Sequence, residues 1–175
     1  MNDDAQLVLS LLAEQGSRLQ ALLLRITLRE DVAEDLLQEL FLRLSRGSAL
    51  RRARDPVGYA VTTATRLAFD WRRSQRRRRD AAPLVQEPVA TPVACDLQDR
   101  QQLQWVLIAI DQLPRRQRDA VVMRYLEERP YEEIAAALGA SVHHARAICY
   151  RGIVRLRKAC AQTFATPVED AVHEP

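Results

Sequence analysis

Apolar residues recur at three- and four-residue spacing along nearly the whole chain, and this periodicity constrains the fold more than any other feature. In the run EDVAEDLLQELFLRLSRG it places one apolar stripe along a helix, because about 3.6 residues make one turn. No sustained apolar–polar alternation occurs, and neither Asn-Gly nor Asp-Gly marks a hairpin. The pattern therefore predicts an all-α fold. The stripe consists of Val32, Leu36, Leu37, Leu40, Phe41 and Leu44.

A proline-rich stretch divides this helical pattern into two blocks. Residues 81–94, AAPLVQEPVATPVA, contain three prolines and no helical spacing, and they predict an extended linker. Residues 1–79 carry 15 basic and 10 acidic side chains, residues 80–96 carry three acids alone, and residues 97–160 carry 11 basic and 7 acidic side chains. We therefore expect two small helical domains at 1–79 and 97–160, a flexible acidic linker at 80–96 and a disordered acidic tail at 161–175.

The first block carries clear helix boundaries. Apolar residues from Leu7 to Ile26 predict one or two opening helices, and Gly47 is expected to end the helix that follows them. The next stretch, GSALRRAR, is predicted to be a loop. After it, Asp55 is placed to cap a helix and Pro56 to occupy its first position. Apolar residues then continue at helical spacing as far as Trp71.

That helix is predicted to end in an arginine run, residues 72–79, in which six of eight residues are arginine. In a helix such like charges meet at i,i+4 and cost roughly a few tenths of a kcal/mol per pair. One or two cations would satisfy the dipole at a helix end, so six indicate another partner. Phosphate groups are one candidate partner, because a guanidinium group binds a phosphate with two hydrogen bonds. Only one of the 26 basic residues is lysine, a bias that a GC-rich genome also produces.

Two helices are expected at the start of the second block. The apolar stripe of the first comprises Leu103, Val106, Leu107 and Ile110. The second is predicted to begin at Pro114 and to stop before Pro130, because proline favours the first helical position and opposes helix continuation. Ala120 and Val121 are expected to be buried on it.

The end of the second block has the spacing of a helix-turn-helix. Tyr131–Leu138 predicts a helix of about two turns, Gly139 permits the turn, and Ser141 can cap a second helix. Ile134, Leu138, Ala145 and Ile148 are expected between the two helices, which leaves an outward face of the kind that enters a DNA major groove. An ordinary helical hairpin has the same spacing, so the motif alone leaves both interpretations open. The outward residues are His143, His144, Arg146, Ala147 and Tyr150.

An acidic face lies on the helix before the predicted loop. Asp31, Glu34, Asp35 and Glu39 include like charges at i,i+4, which disfavour an isolated helix. A solvated surface is the plain interpretation of such a face. A docking surface for a basic partner is the alternative.

The chain lacks the residue sets that are typical of catalysis or metal binding. His143, His144 and Cys149 lie close in sequence, but their spacing does not match the usual zinc patterns. There is no glycine-rich phosphate loop and no nucleophile–histidine set. We therefore expect no enzymatic activity, no cofactor and no bound metal.

The amino terminus and the cysteines indicate a cytoplasmic protein. The first residues, MNDDAQLVLSLL, carry acids where a signal peptide needs positive charge, and no apolar run is long enough to cross a bilayer. Three scattered cysteines do not form a disulfide framework. We expect no direct insertion into a membrane.

Three stretches together resemble the bacterial sigma factors of the extracytoplasmic-function (ECF) group. They are AEDLLQELFLRL, DPVGYAVTTATRLAFDWRR and LPRRQRDAVVMRYLEERPYEEIAAALGASVHHARAICYRGIVRLRK, and they occur in that family's order with a linker between them. The resemblance covers roughly residues 18–160 and is more specific than any of its parts. It implies two helical domains of the types called sigma regions 2 and 4, and a role in promoter recognition.

The resemblance also implies partners. In the family, a Gln-Glu pair docks on the clamp helices of the RNA polymerase β′ subunit, and Gln38 and Glu39 hold those positions here. Core polymerase, through its β′ and β subunits, and promoter DNA are therefore the expected partners, and an anti-sigma factor is a candidate inhibitor. The expected polymerase-binding residues are Asp31, Glu34, Asp35, Gln38 and Glu39.

DNA contacts are implied at two promoter elements. Residues 45–54 correspond to the loop that holds a flipped base of the minus-ten element, and the next helix to the one that contacts the melted non-template strand. The expected minus-ten residues are Arg51, Arg52, Arg54, Tyr59, Arg66, Trp71, Arg72, Arg73, Arg76 and Arg77, with Phe69 as a further stacking candidate. Those for the minus-thirty-five element are Ser141, His143, His144, Arg146, Ala147, Tyr150 and Arg151.

The sequence departs from the family at contact positions. Arg66 stands where members usually have Asn, and Thr62 where they have Arg. In the second helix of the motif the common Val-Lys-Ser-Arg pattern is Ala145, Arg146, Ala147 and Ile148, so only Arg146 keeps a basic contact residue. Two alternatives stay open on the residues alone: a free-standing dimeric regulator that binds an operator without polymerase, and a module that binds nucleic acid or acidic lipid without sequence preference.

Overall fold

The structure is a computed structural model that describes residues 3–46, 48–81 and 97–164. Within these ranges it contains eight helices and no strand, which confirms the predicted all-α class. The helices are α1 (Asp3–Thr27), α2 (Glu30–Ser45), α3 (Ala49–Arg52), α4 (Pro56–Ala81), α5 (Leu97–Asp111), α6 (Arg115–Tyr125), α7 (Tyr131–Leu138) and α8 (Val142–Phe164).

Helices α1, α2 and α4 pack together as a bundle, which with α3 forms the first unit. The segment predicted as one or two opening helices is a single helix, α1, and Gly16 lies within it without ending it. The predicted stripe of α2 faces the core: Leu40 is fully buried, while Leu37 and Phe41 are half-buried at its edge. Gly47, the predicted end of α2, lies outside the described residues.

The predicted loop at residues 45–54 is partly wrong, because it contains the one-turn helix α3. Leu50 is 2% exposed and inserts into the core of the bundle. The backbone N–H groups of Arg52 and Ala53 donate to the carbonyl oxygens of Ser48 and Leu50, at 3.2 Å in both cases. Burial of Leu50 is a tertiary effect that local sequence does not encode, and it fixes this turn.

Helix α4 begins as predicted. Asp55 accepts a hydrogen bond from the backbone N–H of Gly58 at 2.9 Å, which is the geometry of an N-cap, and Pro56 is the first helical residue. The arginine run is helical, and α4 continues through Ala81. Phe69 is fully buried, which corrects its assignment as a stacking surface for DNA bases.

Helices α5 to α8 form the second unit. Leu107 and Ile110 of the α5 stripe are buried, but Leu103 is 38% exposed and lies outside the core. Helix α6 ends at Tyr125, several residues before Pro130. Helix α8 runs to Phe164, into the segment predicted to be a disordered tail.

The two units pack against each other through α4, α6 and α7. Residues 82–96, most of the predicted linker, and residues 165–175 of the predicted tail lie outside the described residues. None of the described helices is long and apolar enough to cross a bilayer.

Candidate nucleic-acid interface

The predicted helix-turn-helix is formed by α7 and α8. Gly139 ends α7 with φ 59° and ψ 44°, the left-handed conformation that favours glycine. Ser141 then accepts a hydrogen bond from the backbone N–H of His144 at 3.2 Å and caps α8. Ile134 and Ala145 are fully buried between the helices, so the geometry predicted from the spacing is confirmed.

The outer face of α8 is open to solvent. Tyr150 is 69% exposed and Ala147 is half-buried at the edge of the face. The other predicted minus-thirty-five residues are exposed: Ser141, His143, His144, Arg146 and Arg151. An exposed, cationic face on the second helix of such a motif can enter a major groove, while the first helix supports it.

Tyr131, a residue that the sequence reasoning did not assign to DNA binding, supports this face. Two guanidinium groups lie over its ring, with the central carbon of Arg124 at 5.1 Å and that of Arg146 at 5.4 Å from the ring centroid. Such cation–π contacts restrict the arginine side chain. The sequence offered one signal for this role: Tyr131 begins α7 and lies one turn before the buried Ala135, on the same side of the helix.

Four of the predicted minus-ten arginines form one face of α4, called here the arginine face: Arg66, Arg72, Arg73 and Arg76. In the packed chain these side chains contact the second unit. Arg73 and Arg76 donate to the two carboxylate oxygens of Asp111, at 2.6 and 3.2 Å. Arg66 donates to the Asp119 carboxylate at 2.9 Å. Arg72 donates to the side-chain oxygen of Gln104, also at 2.9 Å. Arg77 is exposed beyond this face.

The remaining minus-ten candidates lie at the other end of α4. Arg51, Arg52 and Arg54 are exposed, and Tyr59 is half-buried. An open groove of about 630 Å³ lies beside α3, lined by Gln6, Leu7, Ser10, Leu50, Arg51 and Pro56. Trp71 is half-buried and packs against the core, as its helical phase predicted.

The acidic face of α2 is exposed to solvent. Its members are Asp31, Glu34, Asp35, Gln38 and Glu39. Arg29 forms a salt bridge with Asp31 at 2.6 Å, and Arg43 forms one with Glu39 at 2.6 Å. The hydrogen bond from Arg29 holds the pKa of Asp31 below its usual value. A continuous anionic surface of this kind can dock a cationic one.

Sequence reasoning missed the buried charges between the units. Asp111 and Asp119 carry the carboxylates that meet the arginine face, with side chains 5% and 1% exposed. Burial raises the pKa of Asp119 more than its hydrogen bond with Arg66 lowers it. The available signal was weak: Val122 and Met123, one turn after Asp119, are buried, so helical phase alone points that carboxylate inward.

The histidine–cysteine set does not form a site. Cys149 is buried, whereas His143 and His144 are exposed on the outer face of α8. Burial raises the pKa of the Cys149 thiol, which keeps it protonated near neutral pH. Within the residues that the structure describes, no group of three His, Cys, Asp or Glu side chains is placed to hold a metal ion.

The geometry defines a class first: a two-unit helical protein with one helix-turn-helix and a second, arginine-lined helix. Residues 11–78 match the family described as Sigma-70 region 2, and residues 109–158 match Sigma-70, region 4. The chain is 34% identical over 154 residues to RNA polymerase sigma factor CarQ of Myxococcus xanthus, covering 85% of this chain and 86% of CarQ.

Two further relatives are similar to the chain. ECF RNA polymerase sigma factor SigE of Mycolicibacterium smegmatis is 30% identical over 168 residues, which cover 92% of this chain and 64% of SigE. Among solved structures, the sigma factor RpoE, co-crystallised with the anti-sigma factor NepR from Bartonella quintana, has 19% identity and a TM-score of 0.48. That alignment covers 85% of this chain and 93% of the other.

The chain belongs to the ECF group of RNA polymerase sigma factors. Sigma factors are transcription initiation factors that bind core RNA polymerase and direct it to promoters, and this chain is one of them. The family match decides against the two alternatives that the residues alone left open, the free-standing regulator and the non-specific binding module.

Proposed function

We propose that the two units divide promoter recognition between them. The second unit, residues 97–160, reads the minus-thirty-five element in duplex DNA through the outer face of α8. Arg146, the basic residue held by Tyr131, contacts a base edge or phosphate there, and His143 and His144 lie beside it. The observation that carries this assignment is the exposed cationic face behind the left-handed turn at Gly139.

The first unit, residues 1–79, docks on the polymerase and captures the melted strand. The acidic face of α2 supplies the docking surface for the β′ clamp, with Gln38 and Glu39 at its centre. The open groove beside α3, with Arg51 at its rim, is where a flipped base would bind. The arginine face of α4 and Arg77 then bind the phosphates of the non-template strand.

The chain contributes recognition and the polymerase contributes catalysis, so no enzymatic step is assigned to it. Its place of work is the cytoplasm, where polymerase and genome meet, and an anti-sigma factor is a candidate regulator. Run-off transcription tests the proposal: core polymerase with this protein is expected to yield new transcripts from a subset of genomic fragments. A double variant Gln38→Ala, Glu39→Ala is expected to lose them while still folding; unchanged transcripts would contradict the docking assignment.

A further inference from the structure

Arg72 of the arginine face has one contact that lies inside the first unit. One terminal nitrogen of its guanidinium group donates to the backbone carbonyl oxygen of Ile26, in the last turn of α1, at 3.0 Å. The other terminal nitrogen donates to Gln104 of the second unit. Because α1 and α4 belong to the same unit, the bond to Ile26 does not depend on how the two units pack.

The carbonyl group that Arg72 binds lies at a buried helix end. Carbonyl groups in the last turn of an α-helix have no partner in the helix itself, so a donor from another element stabilises them. Ile26 is fully buried and Thr27, the last residue of α1, is 3% exposed, so water has little access to this end of the helix. Burial is the main cause that lowers the pKa of the Arg72 guanidinium, which agrees with a donor that faces the protein interior.

The turn that follows α1 has a strained backbone. Leu28, between α1 and α2, has φ 60°, a left-handed conformation that is costly for a residue other than glycine. Its side chain is buried, and its backbone N–H donates to the Leu24 carbonyl oxygen at 2.8 Å. Such a turn persists only when contacts on both sides hold it, and the bond from Arg72 to Ile26 lies on its α1 side.

The acidic face of α2 begins directly after this turn. Helix α2 starts at Glu30, and its N-cap residue, Arg29, makes no side-chain capping hydrogen bond among the described residues. The backbone N–H of Ala33 donates to the Arg29 carbonyl oxygen at 3.0 Å, and the Arg29 side chain forms the salt bridge with Asp31, the first member of the acidic face. The orientation of this end of the acidic face therefore depends on the turn and not on a capping side chain of α2.

We propose that Arg72 is a positioning residue for polymerase docking: it holds the carbonyl end of α1 and, through the turn at Leu28, orients the first turn of α2, where the acidic face begins. Arg72 itself does not touch polymerase in this role. The inference rests on the proposed function in one respect, that the acidic face docks on core polymerase. It distinguishes Arg72 from Arg76, which lies one turn further along α4 and donates to Asp111 of the second unit.

The first experiment compares two single variants of the full-length chain in binding to immobilised core polymerase. Each variant replaces arginine by methionine, which keeps an unbranched stem but removes the donor and the charge. Arg72→Met loses the bond to Ile26, whereas the matched control Arg76→Met keeps it. Both variants lose one positive charge and one hydrogen bond to the second unit, so the comparison isolates the bond to Ile26.

Arg72→Met is expected to bind core polymerase more weakly than Arg76→Met. If Arg72→Met keeps the turn formed in about one molecule in five, its apparent affinity falls about fivefold. Affinity for a labelled oligothymidine is expected to fall equally in the two variants, because each loses one arginine that binds phosphate in the proposed function. A general loss of stability would instead weaken the binding of both ligands in Arg72→Met.

The second experiment locates the change by hydrogen exchange of backbone amides. The N–H groups of Leu28 and Ala33 report on the two sides of the turn, because their hydrogen bonds flank it. In Arg72→Met both are expected to exchange faster than in the wild type, while amides in the middle of α1 and α4 keep their wild-type rates. Faster exchange throughout the first unit would make Arg72 a residue for stability alone and would overturn the positioning role.

Failure of this inference differs from failure of the proposed function. If Arg72→Met binds polymerase as tightly as Arg76→Met does, while the double variant Gln38→Ala, Glu39→Ala loses binding, the positioning role is overturned and the docking assignment stands. If the double variant also keeps its binding, the docking assignment is wrong and the inference is overturned with it. Should Arg72→Met lose its helical circular dichroism, Arg72→Gln and Arg76→Gln take over the comparison, because glutamine stays polar but is shorter than arginine.

Discussion

The arginine face of α4 and the outer face of α8, the two proposed DNA-binding surfaces, differ in what their cationic side chains contact. Arginines of the α4 face are hydrogen-bonded to Asp111, Asp119 and Gln104 of the second unit and are only partly exposed, whereas the α8 face is open, with Tyr150 69% exposed. A dense cationic surface attracts whichever anion is near, and the second unit supplies carboxylates. The difference shows that the two proposed DNA-binding surfaces are not equally open in this arrangement of the units.

The two faces also differ in how their arginines are held. Arg73 is held by Asp111 of the second unit and by Asp70 of its own helix, so only one of its two carboxylate partners depends on how the units pack. Arg146 is held by the aromatic ring of Tyr131 within its own unit. The arginine of the α8 face is therefore positioned by its own unit, while those of the α4 face are positioned partly by the other unit.

The largest expected effect comes from removing the exposed part of the arginine run. The triple variant Arg77→Gln, Arg78→Gln, Arg79→Gln spares the contacts to Asp111. If each residue meets one phosphate of single-stranded DNA, the log–log salt slope flattens by about 2.1, and affinity near 100 mM salt falls on the order of a hundredfold. Anisotropy titrations with oligothymidine over a salt series measure both.

The matched control for the triple variant lies on α8. Arg151→Gln, Arg157→Gln, Lys158→Gln removes the same charge from exposed positions of the second unit. It is expected to leave the single-strand slope unchanged. Equal flattening by both triple variants would show that oligothymidine responds to net charge and not to α4.

A smaller effect is expected at the open face. Arg146→Ala is expected to weaken binding of duplex promoter DNA by about 1–3 kcal/mol, because one base or phosphate contact is lost. Tyr131→Leu keeps the charge but removes the ring, and costs about 0.5–1 kcal/mol. Electrophoretic mobility shifts with a promoter identified by run-off transcription measure the two. Oligothymidine affinity serves as the control and should not change in either variant.

Local features of both faces were predictable from the sequence. Gly139 and Ser141 lie within three residues of the groups they serve, and Asp55 with Pro56 defines the start of α4 in the same local way. Such features follow from backbone conformation and hydrogen bonding of neighbours, which the sequence encodes directly. The expected partners, promoter DNA and RNA polymerase, came from the resemblance to the sigma factor family and not from these local features.

Long-range features were not predictable in this way. Arg66 and Asp119 are 53 residues apart, and Arg18 and Glu127 are 109 apart, so their pairing depends on how the two units pack. The same holds for Leu50, whose burial creates α3 inside a predicted loop, and for Phe69, which is buried beneath Arg118. Propensity and periodicity identify a buried face but not its partner.

Acidity is expected to stabilise the folded chain through Asp119. Burial raises the pKa of this carboxyl, so the folded chain binds its proton more tightly than the unfolded chain does. The stabilisation is fully present below the ordinary value of 3.8 and is lost as pH rises through the raised pKa. The cations that face this carboxylate are Arg66, Arg115 and Arg118.

Urea denaturation at several pH values from about 7 down toward the ordinary value of 3.8 tests this expectation. The Asp119→Asn variant keeps a neutral side chain at every pH and should be at least as stable as the wild type near pH 7. The free energy of unfolding of Asp119→Asn minus that of the wild type should fall as pH falls, because the wild type gains stability when Asp119 is protonated. Other titrating groups affect both proteins equally. A difference that rises on acidification would mean that the ion pair with Arg66 outweighs burial.

The smallest effect compares two glycines that have open space around them, one in each unit. A Cβ atom on Gly16 or on Gly139 would have no neighbour within 4 Å, so any change in stability reflects backbone conformation and not packing. Gly16 lies inside α1, where alanine is favoured by about 0.5–1 kcal/mol. Gly139 has φ 59°, where alanine costs roughly 1 kcal/mol or more. Gly16→Ala should therefore raise the urea midpoint, and Gly139→Ala should lower it. If both variants raised the midpoint, the turn between α7 and α8 would not require the left-handed conformation.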